Sequence, residues 1–305
     1  MSDVILLDGG MGQELIARAS EPPHPFWSAR VMLREPDVVR AVHRAYVEAG
    51  ARVITVNTYA VTRTRVANHG EGADFAALHV AACRLADEAR LGRRDVALAG
   101  CLPPLVASYK PDLALPFERA RTEYAEIVDV EGPYVDLFLA ETIPSVAEGR
   151  AAAEAACPSG KPVWIGFTVM DDGSARLRSG EPLADAVKAL SDLPVAGILI
   201  NCSTPESCDA ALPALLGQRA IAGVYANGFV SIDALDAGGT VDVLKARKDL
   251  GPEAYADYAL GWVDAGARIV GGCCEVGPAH IAALAQRLEA EGHRLIAPGT
   301  VEPVR

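Results

Sequence analysis

The feature that most constrains the fold is a repeated alternation of short apolar runs with helical segments. The runs are almost entirely apolar, as expected for strands of a parallel sheet that is covered on both faces. Segments with apolar residues at i, i+3 and i+4 lie between them, for example at 36–50, 73–92, 117–128 and 278–292. The apolar runs number eight, at 4–10, 53–59, 96–102, 135–142, 163–169, 197–203, 221–228 and 268–274.

Eight strand–helix units predict a single-domain (β/α)₈ barrel, of the TIM-barrel type, over residues 1–305. No linker rich in Gly, Ser or Pro divides the chain. Three connections, 11–35, 103–116 and 229–251, are longer than a strand–helix loop requires. All three follow a strand, so we expect them on the face of the barrel where active sites lie.

Charge and hydropathy exclude several classes of partner. The formal charge is −12, and no stretch concentrates the positive charge that nucleic acid binding requires. The first residues, "MSDVILLDGG", lack the basic start and apolar core of a signal peptide. No run approaches the roughly 18 apolar residues of a membrane span. We therefore expect a cytoplasmic protein with small-molecule substrates and no nucleic acid or membrane partner, and a homo-oligomeric state is left open.

Polar and metal-binding side chains stand where the apolar runs end. Because the carboxyl ends of barrel strands meet at one rim, we expect these side chains to converge there. In chain order they are Asp8, Asn57 with Tyr59, Cys101, Glu141, Thr168, Asn201 with Cys202, Asn227, and Cys273 with Cys274.

The adjacent pair Cys273 and Cys274, in "IVGGCC", could be a vicinal disulfide, two buried core cysteines or two ligands of one metal. Seven cysteines in a protein expected in a reducing compartment argue against disulfides. Cys202 adds a third sulfur at the rim, and three thiolates suit a tetrahedral Zn²⁺ ion with one open position. We therefore predict zinc at Cys202, Cys273 and Cys274, with Gly271 and Gly272 letting the backbone bend.

The remaining cysteines and the histidines offer no comparable grouping. Cys83 and Cys157 fall in helical segments and are expected in the core, and Cys101 is at the rim without a predicted ligand role. The six histidines fall in loops or helices, so none is a predicted ligand.

A carboxylate and a glycine-rich loop at the rim predict an amino-acid binding site. Glu141, in "LAETIP", can bind an α-ammonium group, and the amides that follow Asp8 in "LLDGGMG" can bind an α-carboxylate. The simpler explanations are a structural ion pair for Glu141 and an ordinary turn for "DGG".

Three thiolates also restrict the chemistry of the metal. Their charge outweighs that of Zn²⁺, so the site is poorly suited to making hydroxide. It is suited to binding a thiol and lowering its pKa, so that the thiolate can attack an alkyl group on a cation. A hydrolase is disfavoured, because hydrolytic zinc sites usually have His and carboxylate ligands. A non-catalytic zinc or thiol sensor would leave Glu141 and the "DGG" loop unexplained.

Five motifs, "DGGMGQEL", "NTY", "ETIP", "NCSTP" and "GGCC", occur in an order and spacing that resemble the homocysteine S-methyltransferases. These are zinc-dependent (β/α)₈ barrels with S-methylmethionine, betaine and cobalamin-dependent branches. The resemblance implies zinc at the three cysteines as the whole catalytic centre, with homocysteine and a methyl donor as substrates. The residues it implies for homocysteine are Asp8, Gly9, Gly10, Met11, Asn57, Glu141 and Asn227, and those for the donor are Trp27, Tyr59 and Thr142.

The identity of the methyl donor is the finer question. The betaine branch has a Tyr after the rim Glu and a long C-terminal arm, whereas Thr142 follows Glu141 here and the chain stops at Arg305. A cobalamin enzyme would need further domains. We therefore expect a sulfonium donor, S-methylmethionine or S-adenosylmethionine. The alternatives are betaine or another methylated cation, or a different thiol or selenol acceptor. "YANG" and "CCEVGP" depart from the family's usual residues near the metal.

Overall fold

The strands form one sheet in which every neighbouring pair is parallel. The computed structural model describes residues 1–235 and 241–299. The sheet order is β2-β3-β4-β5-β6-β7-β8-β1-β9. The strands are β1 (Asp3–Leu6), β2 (Val53–Thr55), β3 (Ala97–Leu102), β4 (Leu137–Ile143), β5 (Val163–Phe167), β6 (Gly197–Asn201), β7 (Ile221–Tyr225), β8 (Ile269–Val270) and β9 (Arg294–Leu295).

The sheet closes on itself between β1 and β2. Leu7 and Val53 form a parallel bridge. On either side of it the Asp8 amide donates to the Val53 carbonyl at 3.0 Å, and the Arg52 amide donates to the Leu6 carbonyl at 2.7 Å. The predicted (β/α)₈ barrel is therefore confirmed, and each of the eight predicted apolar runs overlaps one barrel strand.

The ninth strand was not predicted. β9 pairs with the beginning of β1, where Asp3 lies opposite Arg294 and Val4 opposite Leu295. It occupies the same edge of β1 that β2 takes further along the chain, and it is too short to produce an apolar pattern.

The helices pack around the barrel. They are α1 (Met11–Arg18), α2 (Trp27–Arg34), α3 (Pro36–Glu48), α4 (Arg63–His69), α5 (Phe75–Ala89), α6 (Phe117–Glu131), α7 (Val146–Ala156), α8 (Leu183–Ala189), α9 (Pro205–Ala211), α10 (Pro252–Ala265) and α11 (Pro278–Ala290).

The predicted helical segments 36–50, 73–92, 117–128 and 278–292 are confirmed as α3, α5, α6 and α11. Connection 11–35, expected only to be long, contains the two helices α1 and α2. Connection 229–251 includes residues 236–240, which lie outside the described residues.

Two apolar layers hold the barrel together. Side chains such as Leu137, Leu139 and Leu199 fill the inside of the barrel, and a larger layer lies between the sheet and the helices. Because successive residues of a strand point to opposite faces, one apolar run supplies both layers. Among the described helices, none has the length and apolarity needed to cross a lipid bilayer.

Candidate metal centre

The structure brings the three predicted sulfurs together at the carboxyl end of the barrel. Cys202 follows β6, and Cys273 and Cys274 follow β8. Their Sγ atoms all lie within 4.8 Å of one another, and those of Cys202 and Cys274 are 3.8 Å apart. Tetrahedral zinc with Zn–S bonds of about 2.3 Å places its sulfur ligands about 3.8 Å from each other. The cluster therefore fits a tetrahedral metal ion.

Gly271 and Gly272 were predicted to let the backbone bend, and this stays a prediction. Neither has a positive φ angle, so no left-handed backbone is involved. They are needed because there is no room for a side chain. A Cβ on Gly271 would lie 2.5 Å from Cβ of Leu7, and one on Gly272 would lie 2.1 Å from Cγ1 of Val276.

Four residues around the cluster have a left-handed backbone that non-glycine residues rarely adopt. The φ angles are 44° at Trp27, 62° at Tyr109, 61° at Thr142 and 49° at Cys202. Such a conformation costs on the order of 1 kcal/mol or more per residue. All four side chains line one cavity, which indicates that the strain is concentrated at a functional site.

Hydrogen bonds within the cluster favour the thiolate form of Cys202. Burial raises the pKa of Cys202, but hydrogen bonds from Cys273, Cys274 and the Tyr109 hydroxyl outweigh it and hold that pKa well below its ordinary value. The Tyr109 oxygen lies 2.9 Å from the Cys202 sulfur. Sharing hydrogen bonds with Cys202 raises the pKa of Cys273 and Cys274. A divalent cation held by all three sulfurs would displace the thiol protons, and the complex would keep a net charge of −1.

The cluster opens into a cavity that, with its mouth, measures about 940 Å³. Nearly all the predicted site residues line it, namely Asp8, Gly9, Gly10, Met11, Trp27, Asn57, Tyr59, Glu141, Thr142, Cys202, Cys273 and Cys274. Asn227 does not. It is buried, and its Oδ1 accepts a hydrogen bond from the Phe229 amide at 3.1 Å. Asn227 therefore contacts the backbone of the loop that follows β7, and this geometry does not support the predicted substrate contact.

The loop after β1 differs from the predicted anion site in two contacts. The Asp8 carboxylate accepts a hydrogen bond from the Thr55 amide at 2.8 Å, and burial raises the pKa of this carboxyl group. The Gly10 amide donates to the Val276 carbonyl at 2.9 Å. Gly10 precedes α1 without a side-chain cap, so the amides of the first turn, from Met11 onward, are the available donors.

Glu141 faces the cavity at the end of β4. The Cys101 thiol donates to its carboxylate at 3.1 Å. Burial raises the pKa of Glu141 to about 7, although the hydrogen bond from Cys101 acts in the opposite direction. Cys101 therefore contacts Glu141 and is not one of the clustered sulfurs. A cationic group beside Glu141 would favour its charged form.

An aromatic pair lies on the other side of the cavity. The rings of Trp27 and Tyr59 are 5.9 Å apart and perpendicular, and the Tyr59 hydroxyl is 2.8 Å from Oγ of Ser108. A Cβ on Gly12 would lie 2.0 Å from Cζ2 of Trp27, so a glycine is required where the indole passes α1.

The other predicted cavity residues are held by neighbours. The Thr142 amide donates to Oδ1 of Asn201 at 2.8 Å, and Nδ2 of Asn201 donates to the Thr142 hydroxyl at 3.0 Å. Nδ2 of Asn57 donates to the Ser28 carbonyl at 3.2 Å.

Sequence reasoning missed several cavity residues, including Gln13, Arg65, Ser108, Tyr109 and Tyr225. Ser108 and Tyr109 belong to connection 103–116, whose unusual length was the only signal. Their partners are far away in the sequence, since Tyr109 contacts a residue 93 positions later.

The fold and the site together define a class of protein, a (β/α)₈ barrel with a three-cysteine metal-binding group at its carboxyl end. The chain belongs to the homocysteine S-methyltransferase family, whose model matches residues 5–288. The resemblance found in the sequence is therefore confirmed.

Comparisons with individual proteins agree with this assignment. Homocysteine S-methyltransferase of Escherichia coli K12 is 34% identical, over 93% of this chain and 95% of the relative. Betaine–homocysteine S-methyltransferase 1 of Danio rerio is 28% identical, over 95% of this chain and 74% of the relative. The crystal structure of the metallated form of the homocysteine methyltransferase MmuM from Escherichia coli superposes with a TM-score of 0.79 at 31% identity, and the match covers 94% of this chain and 96% of that one.

Proposed function

We propose that this protein is a zinc-dependent homocysteine S-methyltransferase that uses a sulfonium methyl donor and forms methionine. The observation that carries the proposal is the cluster of three cysteine sulfurs, spaced for a tetrahedral metal, in one cavity with the Glu141 carboxylate. A similar protein whose crystal structure contains metal supports the same assignment.

Cys202, Cys273 and Cys274 would hold the zinc ion. When bound there, zinc supplies an open position at which the pKa of an incoming thiol is lowered. An all-sulfur ligand set favours zinc over harder cations such as Mg²⁺ and Ca²⁺, which prefer oxygen ligands.

The protein's own groups would orient homocysteine. Glu141 is placed to accept hydrogen bonds from the α-ammonium group, and this contact favours the charged carboxylate. The open amides at the start of α1 are placed to donate to the α-carboxylate. With both ends of the amino acid held, its thiol points toward the cysteine cluster.

The reaction needs little acid–base catalysis by side chains. The thiol proton leaves for solvent, and the homocysteine sulfur forms a bond to the donor methyl carbon. The bond between that carbon and the donor sulfonium breaks, so the donor departs as a neutral thioether. Positioning of the two substrates is therefore the main task of the protein.

The aromatic pair favours a positively charged methyl donor. The faces of Trp27 and Tyr59 attract a sulfonium group, and they would also attract the quaternary ammonium group of betaine. Betaine is therefore the second candidate. The resemblance favours the first, because Thr142 follows Glu141 in this chain, where the betaine branch has a Tyr.

The test is an assay of methionine formation from homocysteine with S-methylmethionine, S-adenosylmethionine and betaine offered separately. We expect kcat/KM for one of the sulfonium donors to exceed that for betaine by at least about tenfold. Betaine lacks the α-ammonium group that both sulfonium donors carry, and the loss of one charged contact costs about that much. Faster turnover with betaine than with either sulfonium would show that betaine, the second candidate, is the methyl donor. No methionine from any of the three would contradict the proposal.

A further inference from the structure

A buried arginine in the cavity has a guanidinium group without a partner among the described side chains. Arg65 lies in α4 and is 9% exposed, and its side chain lines the same cavity as the cysteines. Among the side chains that the structure describes, no carboxylate lies within 4.0 Å of its guanidinium group, and the group donates no hydrogen bond to any of the described residues. Burial lowers the pKa of Arg65, but an arginine remains protonated in proteins.

Its neighbour in the same helix shows the usual arrangement. Arg63 donates to the Glu126 carboxylate at 2.8 Å, lies over the Phe75 ring at 4.2 Å and is largely exposed. A buried cation without a counter-ion is unfavourable, because it has lost its hydration and gained no partner. Such a residue is understandable if its counter-ion arrives with a ligand.

The cavity wall shows which charges a ligand would meet. Its described charged side chains, apart from the cysteines, are Asp8, Arg65 and Glu141. Asp8 is already engaged by the Thr55 amide. Arg65 is therefore the only described cation that faces the space, and it calls for an anionic group.

The order of the strands places Arg65 opposite the metal-binding cysteines. Arg65 follows β2, and Cys202 follows β6. These strands are four positions apart in the closed eight-stranded barrel, so they lie on opposite sides of its mouth. Tyr59 also follows β2 and lines the same cavity, and its ring contacts Trp27. Arg65 is thus on the side of the aromatic pair and away from the cluster that would bind the acceptor thiol.

We propose that Arg65 binds the carboxylate of the methyl donor and makes the enzyme select donors that carry a carboxylate as well as a methylated onium centre. This inference rests on the proposed function. The onium centre packs against the aromatic pair while the carboxylate pairs with the guanidinium. The α-carboxylate of homocysteine, the methyl acceptor, binds instead to the open amides at the start of α1.

The test compares S-methylmethionine with its methyl ester, which keeps the sulfonium and the ammonium groups but lacks the carboxylate charge. In Arg65→Met we expect KM for S-methylmethionine to rise about 10- to 100-fold, as for loss of a charged hydrogen bond. KM for the ester and for homocysteine should change less than about threefold. Arg65→Lys should restore part of the affinity, and Arg63→Met is the matched control and should behave as wild type.

An equal rise in KM for S-methylmethionine and for its methyl ester in Arg65→Met would overturn the inference. A rise in KM for homocysteine alone would overturn it as well. Calorimetric binding of S-methylmethionine to the zinc-loaded protein separates this inference from the proposed function. Binding that depends on Arg65 without any methyl transfer would refute the proposed function and retain the carboxylate site. Methyl transfer from S-methylmethionine with unchanged kinetics in Arg65→Met would refute the carboxylate site and retain the proposed function. Circular dichroism and thermal unfolding establish that each variant is folded.

Discussion

Gly12 allows a direct test of the position of Trp27. The Cβ of an alanine at position 12 would lie 2.0 Å from Cζ2 and 2.5 Å from Cε2 of Trp27. Ordinary contacts begin at 3.4 Å, so the indole has to retreat by about 1.4 Å, the difference between 3.4 and 2.0. Gly12 has no positive φ angle, and Gly12→Ala therefore acts through the indole and not through backbone strain.

The size of the effect follows from the contacts that the indole would lose. Its perpendicular contact with Tyr59, at 5.9 Å between centroids, is broken. A cation over an indole gains about 0.5 to 2 kcal/mol, so KM for the donor should rise about 2- to 30-fold. KM for homocysteine should not change, because its proposed contacts lie near Glu141 and the cysteines. Overpacking should also lower the stability by about 1–3 kcal/mol.

The assay is steady-state kinetics with each substrate varied in turn, together with tryptophan fluorescence and thermal unfolding. The other two tryptophans, Trp164 and Trp262, are buried, so a change in emission reports on Trp27. The control is Gly261→Ala, because a Cβ at this exposed position of α10 meets nothing within 4 Å. That variant should gain about 0.5–1 kcal/mol of stability and keep wild-type kinetics.

Two results would refute the reasoning. Unchanged emission and stability in Gly12→Ala would show that the indole does not pack against α1 as described. A changed emission with an unchanged KM for the donor would show that Trp27 is not part of the donor site.

Two further predictions concern the metal affinity and the pH dependence of stability. Tyr109→Phe removes the hydroxyl that lies 2.9 Å from the Cys202 sulfur. Zinc affinity, measured by competition with a chelator, should therefore fall about 10- to 100-fold. Tyr134→Phe, at an exposed site, is the control and should leave the zinc affinity unchanged. An unchanged zinc affinity in Tyr109→Phe would show that the hydroxyl does not contribute to metal binding. Burial lowers the pKa of His43 to about 3, and its ring nitrogens have no hydrogen-bond partner within the described part of the chain. Below about pH 6.5 the unfolded state therefore binds a proton that the folded state excludes. Between pH 7 and pH 5 the free energy of unfolding, measured with urea, should therefore fall by about 2 kcal/mol more in the wild type than in His43→Leu. An equal fall in the two proteins would contradict the burial of a neutral His43.

The barrel could be predicted from the sequence because each strand carries a local signal. Residues 163–169, for example, are apolar almost throughout, and only a buried parallel strand requires that pattern. The three cysteines could be predicted for a related reason, since residues at strand ends share one rim whatever the details of packing. β9 could not be predicted, because two residues produce no periodicity.

The inner wall of the site depends on contacts between distant parts of the chain. Tyr109 reaches Cys202 from a connection without periodic apolar residues, and nothing in the sequence around it indicates a partner. Asp8 looked like part of an anion site, but its carboxylate joins β1 to β2 through the Thr55 amide. The steric need for glycine at position 272 could not be predicted either, because the side chain that excludes a Cβ there belongs to Val276.

The central claim, that three cysteines hold a zinc ion on which methyl transfer depends, is tested most directly by measuring the metal content and the activity of the same preparations. We expect about one zinc per chain and methionine formation in the wild type. Cys273→Ala should lose both, and Cys157→Ala, at a half-buried site outside the cavity, should keep both. Full activity in a zinc-free preparation, or an undiminished zinc content in Cys273→Ala, would contradict the account.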